Sequence, residues 1–86
     1  MRRAARTDGN KAEIVAAFRQ AGCSVYDLRM PVDLLVGKNG KTVLVEIKDK
    51  GGRYTPAQEA FMQSWQGGAV ATVRDVEGAL TIARML

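Results

Sequence analysis

At 86 residues with a net charge of +4 and no histidine, this chain has room for one domain, residues 1–86, with one small core. The single cysteine, Cys23, cannot close an internal disulfide and reads as a small buried hydrophobe in a reducing compartment. Together these counts exclude zinc centres, Ser-His and Cys-His nucleophile pairs and histidine general bases, so any metal must be oxygen-ligated, which favours Mg2+ or Mn2+.

The opening Met1-Arg2-Arg3-Ala4-Ala5-Arg6 runs into Thr7-Asp8-Gly9-Asn10-Lys11 with no apolar signal region, and nothing approaches a membrane span. The expectation is a cytoplasmic protein with no membrane partner. A core this small leaves much surface exposed, so a partner subunit is expected as well. The charge is uneven: residues 1 to 53 hold 11 Lys and Arg against 6 Asp and Glu, while residues 54 to 86 hold 2 against 3. A basic region that also contains acids suits a polyanion-binding, metal-using site, although ordinary solvated surface charge gives the same balance. Its candidate nucleic-acid contacts are Arg3, Arg6, Lys11, Lys50 and Arg53.

The first predicted element is a helix from about Asn10 to Ala21. Asn10 and Glu13 have capping-box spacing, Ile14, Val15, Phe18 and Ala21 form an apolar stripe, and Gly22 supplies the stop. Glu13 lies beside that stripe, where it can serve the cap or reach a functional site. Ser24 to Leu28 alternates as a short strand, and Arg29-Met30-Pro31-Val32 turns into a hairpin.

Two β-branched-rich runs, Asp33 to Lys38 and Lys41 to Lys48, flank Asn39-Gly40, and Asn-Gly tolerates the positive φ of a type I′ turn. That turn fixes the register: Lys38 opposite Lys41, Gly37 opposite Thr42, Val36 opposite Val43, Leu35 opposite Leu44, Leu34 opposite Val45, and Asp33 opposite Glu46. The last pair falls at a non-hydrogen-bonded position, with Cα atoms roughly 4.5 Å apart. Two facing carboxylates repel, so a shared proton, a cation or a metal must offset them. Strand alternation puts Lys48 on their face. The opposite face, with Leu34, Val36, Val43, Val45 and Ile47, is continuous enough to be core. Leu35 and Leu44 make the acidic face apolar farther along, which predicts a sheet covered on both sides with its charged end at an opening.

Asp49 to Tyr54 reads as a flexible basic loop. Thr55-Pro56-Ala57-Gln58 then starts a helix with Thr at the N-cap, Pro at the first position and Gln closing a capping box. Its predicted buried stripe is Ala57, Phe61, Ser64 and Trp65, ended by Gly67-Gly68. Ala69 to Val73 is a fourth strand, and Asp75 caps a last helix from Val76 to about Met85. The order αβββαβα makes an α/β domain with a mixed central sheet flanked by helices.

Asp33, a gap of 12 residues and then Glu46-Ile47-Lys48 is the split D…(D/E)-x-K pattern of the PD-(D/E)-x-K nuclease superfamily. More closely, the chain resembles the small stand-alone virus-type replication-repair nuclease (VRR-NUC) domain found in phages. Arg6-Thr7-Asp8 before a helix with Glu13, Asp33-Leu34-Leu35-Val36-Gly37, Val45-Glu46-Ile47-Lys48-Asp49 and Thr55-Pro56-Ala57-Gln58 carry the likeness over nearly the whole chain. One departure is Val32, which separates Pro31 from Asp33 where the family pattern has proline directly before the acid.

The resemblance implies a restriction-endonuclease-like core and a Mg-dependent endonuclease acting on branched, Holliday-junction-like DNA as a homodimer, in the host cytoplasm if phage-encoded. It implies that Asp33, Glu46 and the backbone carbonyl of Ile47 hold the metal, and that Lys48 orients or deprotonates the attacking water. It adds Gln58 as a residue that holds water or phosphate, against its plain capping role, and Glu13 as a first-helix acid at or behind the metal. The alternatives are a non-catalytic nucleic-acid-binding module, with Asp33, Glu46 and Lys48 as a structural ion-pair triad, or a small subunit of a larger complex.

Overall fold

The computed structural model describes residues 9–86. Its elements follow the expected order: α1 (Lys11–Gln20), β1 (Ser24–Asp27), β2 (Leu34–Lys38), β3 (Lys41–Ile47), α2 (Pro56–Ser64), β4 (Val70–Val73) and α3 (Val76–Met85). The four strands form one mixed sheet in the order β1-β2-β3-β4. Antiparallel pairs join β1 to β2 and β2 to β3, and β4 runs parallel to β3. Asn39 and Gly40 both have positive φ, at 55° and 77°, and the hairpin register is the expected one from Lys38↔Lys41 through Leu34↔Val45.

The core lies on one face of the sheet. Leu34, Val36, Val43, Val45 and Ile47 project from the central strands against Ile14, Ala17 and Phe18 of α1 and Ala79 and Ala83 of α3. Phe18, Ile14 and Leu34 are completely buried, and each contributes about 1.5–3 kcal/mol through the water its side chain leaves. The 3.6-residue spacing of the apolar positions turns one stripe of α1 inward, where the small Ala17 permits close approach to α3. Gly22, at φ 93°, ends α1 as expected, and the Asp75 carboxylate caps α3 by accepting from the Gly78 amide at 2.7 Å.

Three local expectations give way to tertiary contacts. The Asn10 side chain does not cap α1; its amide donates instead to the Arg74 carbonyl at 2.7 Å and the Lys48 carbonyl at 3.5 Å. The predicted capping box with Glu13 is therefore not formed. The segment after Lys48 is tied rather than loose, because the Arg74 guanidinium donates to the carbonyls of Asp49 and Gly52 at 2.8 and 3.0 Å.

The third difference concerns α2, which lies over the second face of the sheet without burying any residue fully. Ala57 and Ser64 are exposed, Phe61 is half-buried and Trp65 is 44% exposed, its ring packed on Phe61 and its indole N–H donating to the Gly68 carbonyl. A single helix, about 10 Å across, covers roughly two strands spaced about 4.8 Å apart, so α2 alone leaves part of this four-stranded face open, whereas α1 and α3 together cover the other. Leu35 and Leu44 on that face stay half-buried, and Tyr26 is 68% exposed.

Candidate active site

The charged end of the hairpin opens into a cleft of about 1080 Å³ whose lining includes Asp33, Glu46, Ile47, Lys48 and Gln58. Asp33 does not continue β2 as the facing partner of Glu46. Its carbonyl accepts from the Leu28 and Arg29 amides at 2.8 and 3.4 Å, and its Oδ2 accepts from the Ile47 amide at 2.7 Å. Its carboxylate thus turns across to β3, and the two acids meet through side chains rather than through a strand pair. Val32, the residue the family pattern lacks, is buried just before it.

Glu46 is 2% exposed. Its Oε2 accepts from the Gln58 amide at 2.7 Å and lies 3.4 Å from Lys48 Nζ, whereas its Oε1 is buried without a hydrogen-bond partner. Burial first, then the Asp33 charge, pushes the Glu46 carboxyl from 4.5 up to about 6, against the lowering influence of Lys48. The Lys48 side chain is only 12% exposed, so it is more enclosed than a lysine at an open sheet end. Its ammonium also lies 5.9 Å from the Tyr54 ring centroid, and the Tyr54 hydroxyl is hydrogen-bonded to Thr72.

Gln58 closes the predicted capping box and also reaches Glu46. Thr55 Oγ1 accepts from the Gln58 backbone amide at 3.2 Å and Gln58 Oε1 accepts from the Thr55 amide at 2.9 Å, while Nε2 remains free to donate to Glu46. The capping box fixes the side chain that reaches into the cleft.

Among the described residues, no three His, Cys, Asp or Glu side chains converge on one point. A hard cation here would have two protein carboxylates and be completed by a backbone carbonyl, waters or a phosphate, which is ordinary for Mg2+. The donor set fits such an ion on one observation above all: a buried carboxylate oxygen, Glu46 Oε1, faces no proton donor.

Glu13 is exposed and does not line the cleft, and neither do Lys50 and Arg53, which are exposed on the loop after β3. Lys11 does line it, paired with Asp27 at 2.8 Å, while Arg3 and Arg6 lie outside the described residues. Asp27, Arg19 and Arg29 also line the cleft and were not singled out from the sequence. Arg19 was within reach of helical periodicity, since Lys11, Val15 and Arg19 recur every fourth residue on one face. Arg29 stands at φ 69° in the turn before Asp33, and nothing in its residue type announces that.

No family model, curated protein or solved structure matches this chain. No helix among the described residues is long and apolar enough to cross a membrane.

Proposed function

We propose that the chain is a metal-dependent endonuclease of the restriction-endonuclease-like class, similar to the stand-alone VRR-NUC domains, cleaving phosphodiester bonds in DNA. The observation that carries this reading is the end of the β2–β3 hairpin, where Asp33 and buried Glu46 stand together in an open cleft beside Lys48. Asp33, Glu46 and the Ile47 carbonyl would hold Mg2+ or Mn2+. That ion, when bound, supplies Lewis-acid polarisation of the phosphate and a more acidic water. Lys48 would orient the attacking water and neutralise charge that develops on the phosphate, from a position held by Glu46 and Tyr54. Gln58 keeps Oε2 of Glu46 occupied, which leaves Oε1 as the free acceptor.

The non-catalytic alternative has one observation in its favour: Asp33 Oδ2 is already engaged by the Ile47 amide, as a structural carboxylate would be. Incubation with Mg2+ and labelled linear, flap, fork and four-way DNA separates the two. Cleavage that requires the metal and is lost in Asp33→Asn supports the enzyme, and intact substrates throughout reject it.

The same reading extends to branched DNA and a homodimer. A protomer of this size offers a small footprint, and two-fold sites suit the two symmetric strands of a four-way junction. The surface that supports pairing is the incompletely covered sheet face, where Tyr26, Leu35, Leu44 and Val70 lie in one row across four strands beside Trp65.

A further inference from the structure

The wall of the cleft opposite Gln58 comes from α1 and β1, and it is basic. Lys11, Arg19 and Arg29 line it, with Asp27 as their one acidic neighbour on that wall. Asp27 Oδ2 lies 2.8 Å from Lys11 Nζ, and Arg29 adds positive potential from the turn that follows. Arg19 Nη2 donates to the Val25 carbonyl at 3.2 Å, which stretches its side chain along β1. Three cations against one carboxylate leave this wall with an excess of two positive charges, and with Lys48, Glu46 and Asp33 counted as well the charged lining of the whole cleft still has four cations against three carboxylates.

The Lys11–Asp27 pair is unequal. The lysine side chain is 19% exposed, anchored on a helix packed into the core, whereas the aspartate is 48% exposed at the end of an edge strand. The enclosed cation is the fixed member and the exposed anion the replaceable one. The hydrogen bond from Lys11, first among its influences, also keeps the Asp27 carboxyl below its ordinary range, so the occupant of the site stays anionic. An anion held between cations in an open cleft stands where a phosphate oxygen would bind.

We propose that Asp27 is a built-in stand-in for phosphate: it holds Lys11 in the free protein and yields it, with Arg29 and Arg19 alongside, to a backbone phosphodiester of the nucleic acid at a second subsite distinct from Asp33 and Glu46. The proposal rests on the nuclease reading only for the identity of the ligand as nucleic acid. The anionic side of the pair is open to solvent, which screens it, so a phosphate can displace Asp27, and Asp27 then sets how much affinity the wall delivers.

Binding of a short labelled DNA duplex, followed by fluorescence anisotropy in EDTA across a salt series, tests this apart from catalysis. Asp27→Asn, which removes the competing anion, binds roughly fivefold tighter than wild type. Lys11→Gln binds more weakly, with a slope of log affinity on log salt shallower by about 0.9. In the Lys11→Gln background the gain from Asp27→Asn shrinks, because the cation it released is gone. Equal affinity and slope in wild type and Lys11→Gln, or weaker binding by a folded Asp27→Asn, overturns the subsite while Mg2+-dependent cleavage by wild type keeps the nuclease reading. A wild-type protein that neither binds the duplex nor cuts DNA overturns both.

Discussion

Glu46 is the one charged side chain that is buried among the described residues. Its carboxyl is raised from 4.5 to about 6 by burial and by Asp33, so the folded chain takes up a proton more readily than the unfolded one. The metal-free protein therefore gains stability from this group below about pH 4.5 and loses it as pH rises through 6, by an amount on the order of 2 kcal/mol. Glu46→Gln removes the dependence: its melting temperature exceeds that of wild type at pH 7.5 in EDTA, and the difference narrows toward pH 4.5. Added Mg2+ then raises the melting temperature of wild type and leaves the variant unchanged. A wild-type apo protein that gains stability between pH 4.5 and 7.5 relative to Glu46→Gln contradicts this account. On the proposed nuclease reading Lys48→Ala is expected to abolish Mg2+-dependent cleavage and, because its side chain is enclosed, also to cost about 1–3 kcal/mol at pH 8. That cost is smaller at pH 5, where Glu46 takes a proton and no longer needs the cation. Parallel denaturation curves at the two pH values read the difference directly.

At the scale of elements, the junction of the β3 loop with α2 converts a local motif into a site. Thr55 and Gln58 satisfy each other's backbone amides, and the leftover amide of Gln58 holds Glu46. Thr55→Ala removes one half of the box and costs roughly 1 kcal/mol in chemical denaturation, with slower cleavage because Gln58 is no longer fixed. Gln58→Glu separates the two jobs. Glutamate serves a capping box equally well, so stability falls little beyond the effect of its charge, yet it cannot donate to Glu46 and places a third carboxylate beside it. Cleavage falls by at least tenfold if the site of chemistry is here, and wild-type turnover by Gln58→Glu limits the residue to the cap. On the other side of the sheet, Asn10 joins the start of α1 to the carbonyls of Arg74 and Lys48, so the helix that carries Lys11 is registered against the strand end that carries the acids.

The whole molecule is two-sided. One face of the sheet is sealed by α1 and α3, and the other is only partly roofed by α2, with Trp65 44% and Tyr26 68% exposed. Pairing through that face would bury apolar surface that one small domain leaves in water. Light scattering is expected to give the mass of a dimer, and Trp65→Glu the mass of a monomer with an unchanged circular dichroism spectrum, since Trp65 is not part of the core. A monomeric wild type that cuts linear duplex as readily as a four-way junction removes both the dimer and the preference for branched DNA.

What the sequence determined by itself was whatever depends on neighbours a few residues apart. Asn39-Gly40 dictated the turn and hence the register of every pair from Lys38↔Lys41 to Leu34↔Val45, the three-residue step from Thr55 to Gln58 dictated the start of α2, and the alternation of β3 dictated which side chains enter the core. These are short-range effects of backbone φ, capping and strand period, and they survive whatever the rest of the chain does. Tertiary structure alone decided that Asp33 bonds to the Ile47 amide instead of lying opposite Glu46, that Asn10 leaves its own helix for Arg74, that Lys11, Arg19 and Arg29 share one wall with Asp27, and that α2 covers too little of its face. Each joins or exposes groups through the packing of helices on the sheet, over separations such as the 64 residues between Asn10 and Arg74. A polar side chain takes the partner that leaves the fewest buried groups unsatisfied, and which partner that is depends on packing that no local pattern contains.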